Sequence, residues 1–166
     1  MMGFQRGATL VELVMTIVII SVAIAGVTGA FALISGRSAD PLNQTRAVEL
    51  AQLYMDEIIA KKYDEATPPG GQPPYSGATC NIGPDAGESR ATFDDVDDYN
   101  GVSDSPPANV DGALDGYNGF TVDVAVACAG DDPDIGLPST EAKRIDLTIT
   151  VPGGQSFVFS AYKANF

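Results

Sequence analysis

Glu12 stands at the mouth of an apolar run. From Leu13 to Ile34 the chain carries 22 consecutive residues without a charge. A carboxylate next to the hydrocarbon of a bilayer costs about 2.5 kcal/mol or more on insertion scales, so it is expected to take a cationic partner, most readily one brought by another chain. A second acidic group lies far downstream, at Asp94, Asp95, Asp97 and Asp98, with Asp104 beyond it. Several carboxylates in one short segment suit a hard cation such as Ca²⁺, which takes roughly six to eight oxygen ligands. The spacing does not match an EF-hand, and a solvated acidic loop is the favoured reading over a metal site. Asp131, Asp132 and Asp134 read the same way. Cys80 and Cys128 lie 48 positions apart with no CxxC between them, which argues against a zinc or thioredoxin-type site. They are expected to be bridged if the chain is exported, and to be two buried thiols otherwise.

The composition narrows the chemistry further. There is no histidine, so the commonest general base, the commonest zinc ligand and every Ser-His or Cys-His nucleophile are missing. Paired carboxylates can hydrolyse glycosides, but here they sit in a Gly- and Pro-rich stretch with no evident apolar pocket to raise one pKa above the other. The expectation is that the chain is not an enzyme. A net charge of −13 argues against nucleic acid as a partner, since a phosphate backbone needs clustered Lys and Arg.

The elements that must position these groups follow from periodicity. The run through Ile34 makes a helix on the order of 30 Å long, enough to cross the hydrocarbon core of a bilayer. Arg6 precedes it, which by the positive-inside tendency places the short N-terminal side in the cytoplasm. Residues 41–63 show helical spacing, with Val48, Ala51, Met55, Ile58, Ile59 and Lys62 on one stripe, widened by Leu50, Leu53 and Tyr54. Asp40-Pro41 is a helix-start signal, so a break is expected near Gly36 to Asp40. Glu57 and Lys61 are spaced for a surface ion pair. Residues 64–118 are rich in Pro, Gly, Asp and Ser, and hold either short strands or a wrapped loop. Phe120, Val122, Val124 and Val126 alternate with polar neighbours, as do Ile145, Leu147, Ile149 and Val151. Ser156 to Tyr162 follows across a Pro152-Gly153-Gly154-Gln155 turn, which predicts a C-terminal antiparallel sheet whose last two strands form a hairpin. The fold class expected is α+β, with an N-terminal helix in two halves and the amphipathic half laid on the sheet.

Gly7-Ala8-Thr9-Leu10-Val11-Glu12-Leu13, leading into the apolar run, resembles the processing site of type IV prepilins and type II secretion pseudopilins. The resemblance implies a leader of residues 1–7, removed by a membrane peptidase between Gly7 and Ala8. Methylation of the new N-terminus would follow. Glu12, the fifth mature residue, would then pair with the N-terminal ammonium of a neighbouring subunit. The implied layout is a transmembrane and assembly helix over 8–35, its amphipathic half over 36–63, the acidic loop region over 64–118 and the sheet over 119–166. Two features depart from the family pattern. Ala8 stands where Phe is usual, and Gly26 and Gly29 occupy the region where the helix often has a proline.

Further along, Ala47-Val48-Glu49-Leu50-Ala51-Gln52, Asp56-Glu57-Ile58, Phe93-Asp94-Asp95-Val96-Asp97-Asp98-Tyr99 and the ending Ser160-Ala161-Tyr162-Lys163-Ala164-Asn165-Phe166 are similar to minor prepilins of the mannose-sensitive haemagglutinin type IV pilus system. The implied partners are other pilin subunits, the prepilin peptidase and methylase, inner-membrane lipid and the pilus assembly platform. The implied location is the inner membrane with the C-terminal part in the periplasm, or the extracellular pilus. No metal motif of the family maps onto the acidic residues, and no cofactor is implied; calcium at Asp94, Asp95, Asp97 and Asp98 is the lesser alternative. Three other readings compete: a type II secretion pseudopilin, a membrane-tethered calcium-binding adhesin, and an ordinary secretory signal peptide cut near Ala23-Ile24-Ala25.

Overall fold

A computed structural model of the chain describes residues 9–37, 40–68, 76–77 and 79–165, with side chains for all of these except 33–37 and 40. Gly7 and Ala8 lie outside the described residues, as do Ser38 and Ala39 within the break expected near Gly36 to Asp40. The chain divides into two units, Met1–Leu42 and Asn43–Phe166.

The first unit is built on a helix, α1 (Leu10–Arg37). Its segment Leu10–Ala32, 23 residues, is long and apolar enough to cross a membrane. Its polar residues are accommodated by the helix itself. The hydroxyls of Thr16, Ser21 and Thr28 each donate to a carbonyl one turn back, at 2.7 Å to Glu12, 2.7 Å to Ile17 and 2.9 Å to Ile24. Such back-bonding satisfies a hydroxyl where no water is at hand.

The second unit is α+β. Helix α2 (Asp40–Ile59) enters it at Asn43 and packs on a four-stranded antiparallel sheet. The sheet order is β1 (Ser103–Asp104), β4 (Thr121–Cys128), β5 (Ala142–Thr150), β6 (Ser156–Ala164). A two-stranded ribbon of β2 (Ala108–Asn109) and β3 (Gly112–Ala113) stands apart from it. The register pairs the inward residues across the sheet: Val122 with Ile149, Val124 with Leu147, and Val126 with Ile145. These six side chains meet Ala47, Leu50, Ala51, Tyr54 and Ile58 of α2 in one buried core. The alternation read from the sequence therefore faces the helix, and the final hairpin forms as expected, with β5 and β6 joined through Pro152–Gly154.

Three expectations need correcting. The buried stripe of α2 centres on Ala47, Leu50, Tyr54 and Ile58, while Val48, Leu53 and Ile59 are exposed. The helix also ends at Ile59 rather than running to Tyr63. Beyond it the Lys62 backbone pairs with the acidic segment: its N–H donates to the Asp94 carbonyl and its carbonyl accepts from Val96, each at 3.1 Å. The carbonyls at and just beyond the end of α2 are taken by Lys163 from β6, whose ammonium donates to Ile59 at 2.7 Å and to Lys61. A cation at a helix C-terminus satisfies orphan acceptors and complements the dipole. Third, Glu57 and Lys61 do not pair. Glu57 is held by Arg90 and Tyr99, and Lys61 donates to the Phe93 carbonyl at 2.6 Å.

The 64–118 region holds short structure of its own: a 3₁₀ turn at Asp97–Tyr99, strand β1 and the β2–β3 ribbon. Arg90 fastens much of it. Its guanidinium forks onto Glu57 at 3.0 and 3.2 Å, reaches Asp104 at 3.1 Å, and lies over the rings of Tyr54 and Tyr99. A planar fork suits this task; a lysine would reproduce neither the two parallel bonds nor the stacking.

Candidate functional site

Glu12 occupies the first turn of α1. The local reason is a cap: the Thr9 hydroxyl accepts from the Glu12 N–H at 3.3 Å, so Thr9 and Glu12 stand at the positions of an S/T-x-x-E capping box. The acidic charge at the N-terminus of the helix is also favoured by the dipole, by about 0.3–1 kcal/mol in exposed settings. Among the described residues no basic side chain forms an ion pair with Glu12; the ion pairs present all lie in the second unit.

The second site is the acidic segment, and the solvated-loop reading is wrong for most of it. Asp95, Asp97 and Asp98 are buried, while Asp94 is half-buried. The segment is drawn in because Val96 and Tyr99 enter the core beside Phe93, whose ring meets Tyr99 edge-on at 5.2 Å. Two of the aspartates then serve the backbone of their own segment. Asp98 accepts from the Asp94 and Asp95 N–H groups at 2.9 and 3.1 Å. Asp95 accepts from Asp97 and Asp98 at 2.7 and 3.3 Å.

Asp97 points elsewhere. Its Oδ2 lies 2.5 Å from the ammonium of Lys143, which is wholly buried on β5, donates to the Tyr63 carbonyl at 2.5 Å and sits 3.8 Å from Asp64. Burial pushes the Asp97 carboxyl up to about 7, against the pull of that ammonium. Desolvation likewise raises Asp95. A hydrogen bond shared with Asp98 raises Glu88 to about 7, and one shared with Asp94 raises Glu65. Asp94 is held below the usual carboxylate range by Lys62, 2.6 Å away.

Beside these groups lies a cleft of about 230 Å³. Six carboxylates line it: Asp64, Glu65, Asp85, Asp95, Asp97 and Asp98. Asp64 is anchored by Thr79, whose N–H and hydroxyl approach its Oδ2 at 3.2 and 3.4 Å. The next residue, Cys80, is bonded to Cys128 at the end of β4, with their Cα atoms 6.1 Å apart. The bridge expected for an exported chain is therefore present, and it ties one wall of the cleft to the sheet. Asp104, offered as a further ligand, faces away into the Tyr54 and Arg90 contacts. Of the other acidic group, Asp131 and Asp134 are exposed, and Asp132 accepts from Arg144 and Tyr162 at 3.1 and 2.7 Å.

Sequence reasoning missed Asp64, Glu65 and Lys143. Lys143 was within reach, because the inward parity of Ile145, Leu147 and Ile149 continues back to it. A lysine on a core-facing position demands a buried acid. No protein-family model, curated protein or solved structure matches the chain.

Proposed function

We propose that this chain is a type IV prepilin-like subunit: anchored by α1, processed between Gly7 and Ala8, and assembled with other subunits through that helix. The particular protein it resembles is the minor prepilin MshD, which makes a role in pilus biogenesis the reading adopted. The carrying observation is Glu12, an acid without a paired base among the described residues, at the start of a helix long and apolar enough to span a bilayer. In a bundle of such helices the freed N-terminal ammonium of an adjoining subunit is the fitting counter-charge, since a buried acid without its partner is strongly unfavourable. The C-terminal unit, with its disulfide, suits an oxidising compartment such as the periplasm or the exterior. A type II secretion pseudopilin would use the same N-terminal chemistry.

Glu12→Ala tests the pairing. Because Glu12 lies in the first unit, the variant is expected to be made, inserted and folded at wild-type levels. Its incorporation into sheared pili should fall by more than about tenfold, the equivalent of a pair contributing upward of ~1.4 kcal/mol. Incorporation at the wild-type level would count against the reading.

A further inference from the structure

We propose that Lys143 and Asp97 join covalently, through an isopeptide bond between Lys143 Nζ and Asp97 Cγ that closes after the C-terminal unit has folded. The reactants are in place. Lys143 Nζ lies 2.5 Å from Asp97 Oδ2, which puts Cγ, one bond further on, at roughly the 3–3.5 Å of a near-attack arrangement. The Lys143 side chain is wholly enclosed and that of Asp97 is 6% exposed. Groups fixed in this way react at effective molarities on the order of 10⁵–10⁸ M. In water the amine and the acid stay ionised and apart. Here burial pushes Asp97 toward its neutral, more electrophilic form. Its Oδ1 is buried with no hydrogen-bond partner, so the anion lacks donors that would hold it unreactive.

Asp64 supplies the acid–base chemistry. Among the described residues it and Asp97 are the two acids in ion-pair range of Lys143, Asp64 at 3.8 Å with its side chain 7% exposed. The ion pair first passes a proton from Nζ to Asp97, giving an amine beside a carboxylic acid. Nζ then attacks Cγ with its lone pair. Asp64 takes the second Nζ proton and returns it to the departing hydroxyl, which leaves as water into the adjoining cleft that Asp64 and Asp97 both line. One C–N bond forms, one C–O bond breaks, one water is released, and no oxidant or further reactant is needed. Two buried charges become a neutral amide, which removes the desolvation cost of the ion pair. The remaining N–H keeps the Tyr63 carbonyl, which the ammonium already meets at 2.5 Å. The Tyr63 ring, 4.3 Å from Nζ, covers the bond. Amide condensation is slow beside folding, so newly folded chain holds the ion pair, to which the energetics of the pair apply, and aged chain holds the amide. The bond would tether the acidic segment to β5 across 46 residues. The proposal stands apart from the pilus reading.

The test is mass spectrometry of the full chain, folded in detergent micelles and sampled as it ages. The intact mass should fall by one water. Chymotryptic digestion should then yield a branched peptide joining the segment of Asp97 to that of Lys143. Wild-type chain kept in urea should lose no water. Asp64→Asn keeps the Lys143–Asp97 pair and an acceptor for Thr79. With its fold checked by the tyrosine spectrum, its closure should be slower by at least about hundredfold, since a general acid–base group contributes about 10²–10⁴ in rate. Folded wild-type chain that stays at full mass after prolonged ageing would overturn the proposal. So would loss of water without a branched peptide, the mark of an aspartyl succinimide. Closure of folded Asp64→Asn at the wild-type rate would overturn the role given to Asp64.

Discussion

Lys143→Met is expected to destabilise the C-terminal unit by about 3–5 kcal/mol, the cost of breaking a buried ion pair by removing one partner. Lys143 is wholly buried, and its ammonium is shared among Asp97, the Tyr63 carbonyl, the Tyr63 ring at 4.3 Å and Asp64 at 3.8 Å. Methionine fills nearly the same space, so the change removes charge and hydrogen bonds rather than volume. Asp97 and Asp64 are then left enclosed without a cation, and the Tyr63 carbonyl loses its donor. The double variant Lys143→Met with Asp97→Asn removes most of that uncompensated charge and is expected to recover a large part of the loss. Urea unfolding of the full chain in detergent, followed by tyrosine signal, checks both. A single variant as stable as the wild type would mean that the pair contributes little, and that Asp97 is held by something else.

Loss of the Cys80–Cys128 bridge ranks next. Its separation of 48 residues corresponds to about 4 kcal/mol of closure entropy in the chain-entropy model, within a usual range of about 2–5 kcal/mol for small exported domains. The bridge is the covalent link between the loop carrying Thr79 and the end of β4, and Thr79 in turn holds Asp64. The Cys80→Ser, Cys128→Ser variant should therefore lose that amount of unfolding free energy, seen as a lower denaturant midpoint. Dithiothreitol should lower the wild type to match and leave the variant unmoved. Equal midpoints for oxidised and reduced wild type would show that the bridge adds no stability.

Much of this architecture was legible because its periods are simple. The two-residue alternation at 120–126 and 145–151 defined β4 and β5 together with their inward faces, and Pro152-Gly153-Gly154 marked the hairpin. The 3.6-residue stripe located α2, but its rotation was read about one position off. Helix spacing alone cannot choose between the Val48 and Ala47 faces when both are small and apolar. The end of α2 was misplaced for a tertiary reason. Lys61 and Lys62 have good helix propensity, yet their backbone and ammonium groups are engaged by Phe93 and Asp94, over thirty residues away.

The acidic segment was misread for a similar reason. Clustered aspartates in a Gly- and Pro-rich stretch ordinarily face water. Here Phe93, Val96 and Tyr99 are spaced to anchor the segment in the core, and they carry the intervening acids inward with them. The aromatic and aliphatic residues between the aspartates were the visible signal. The partner, Lys143, lies in a strand 46 residues away in sequence from Asp97, and only the folded sheet brings it alongside.

The central claim is that Glu12 serves assembly once a leader ending at Gly7 has been removed. Intact-mass and N-terminal peptide mass spectrometry of the chain extracted from the membrane of its native host tests this most directly. The account predicts a mature protein beginning at Ala8 and carrying one added methyl group. A chain that keeps residues 1–7, or one whose terminus lies near Ala25, would contradict it.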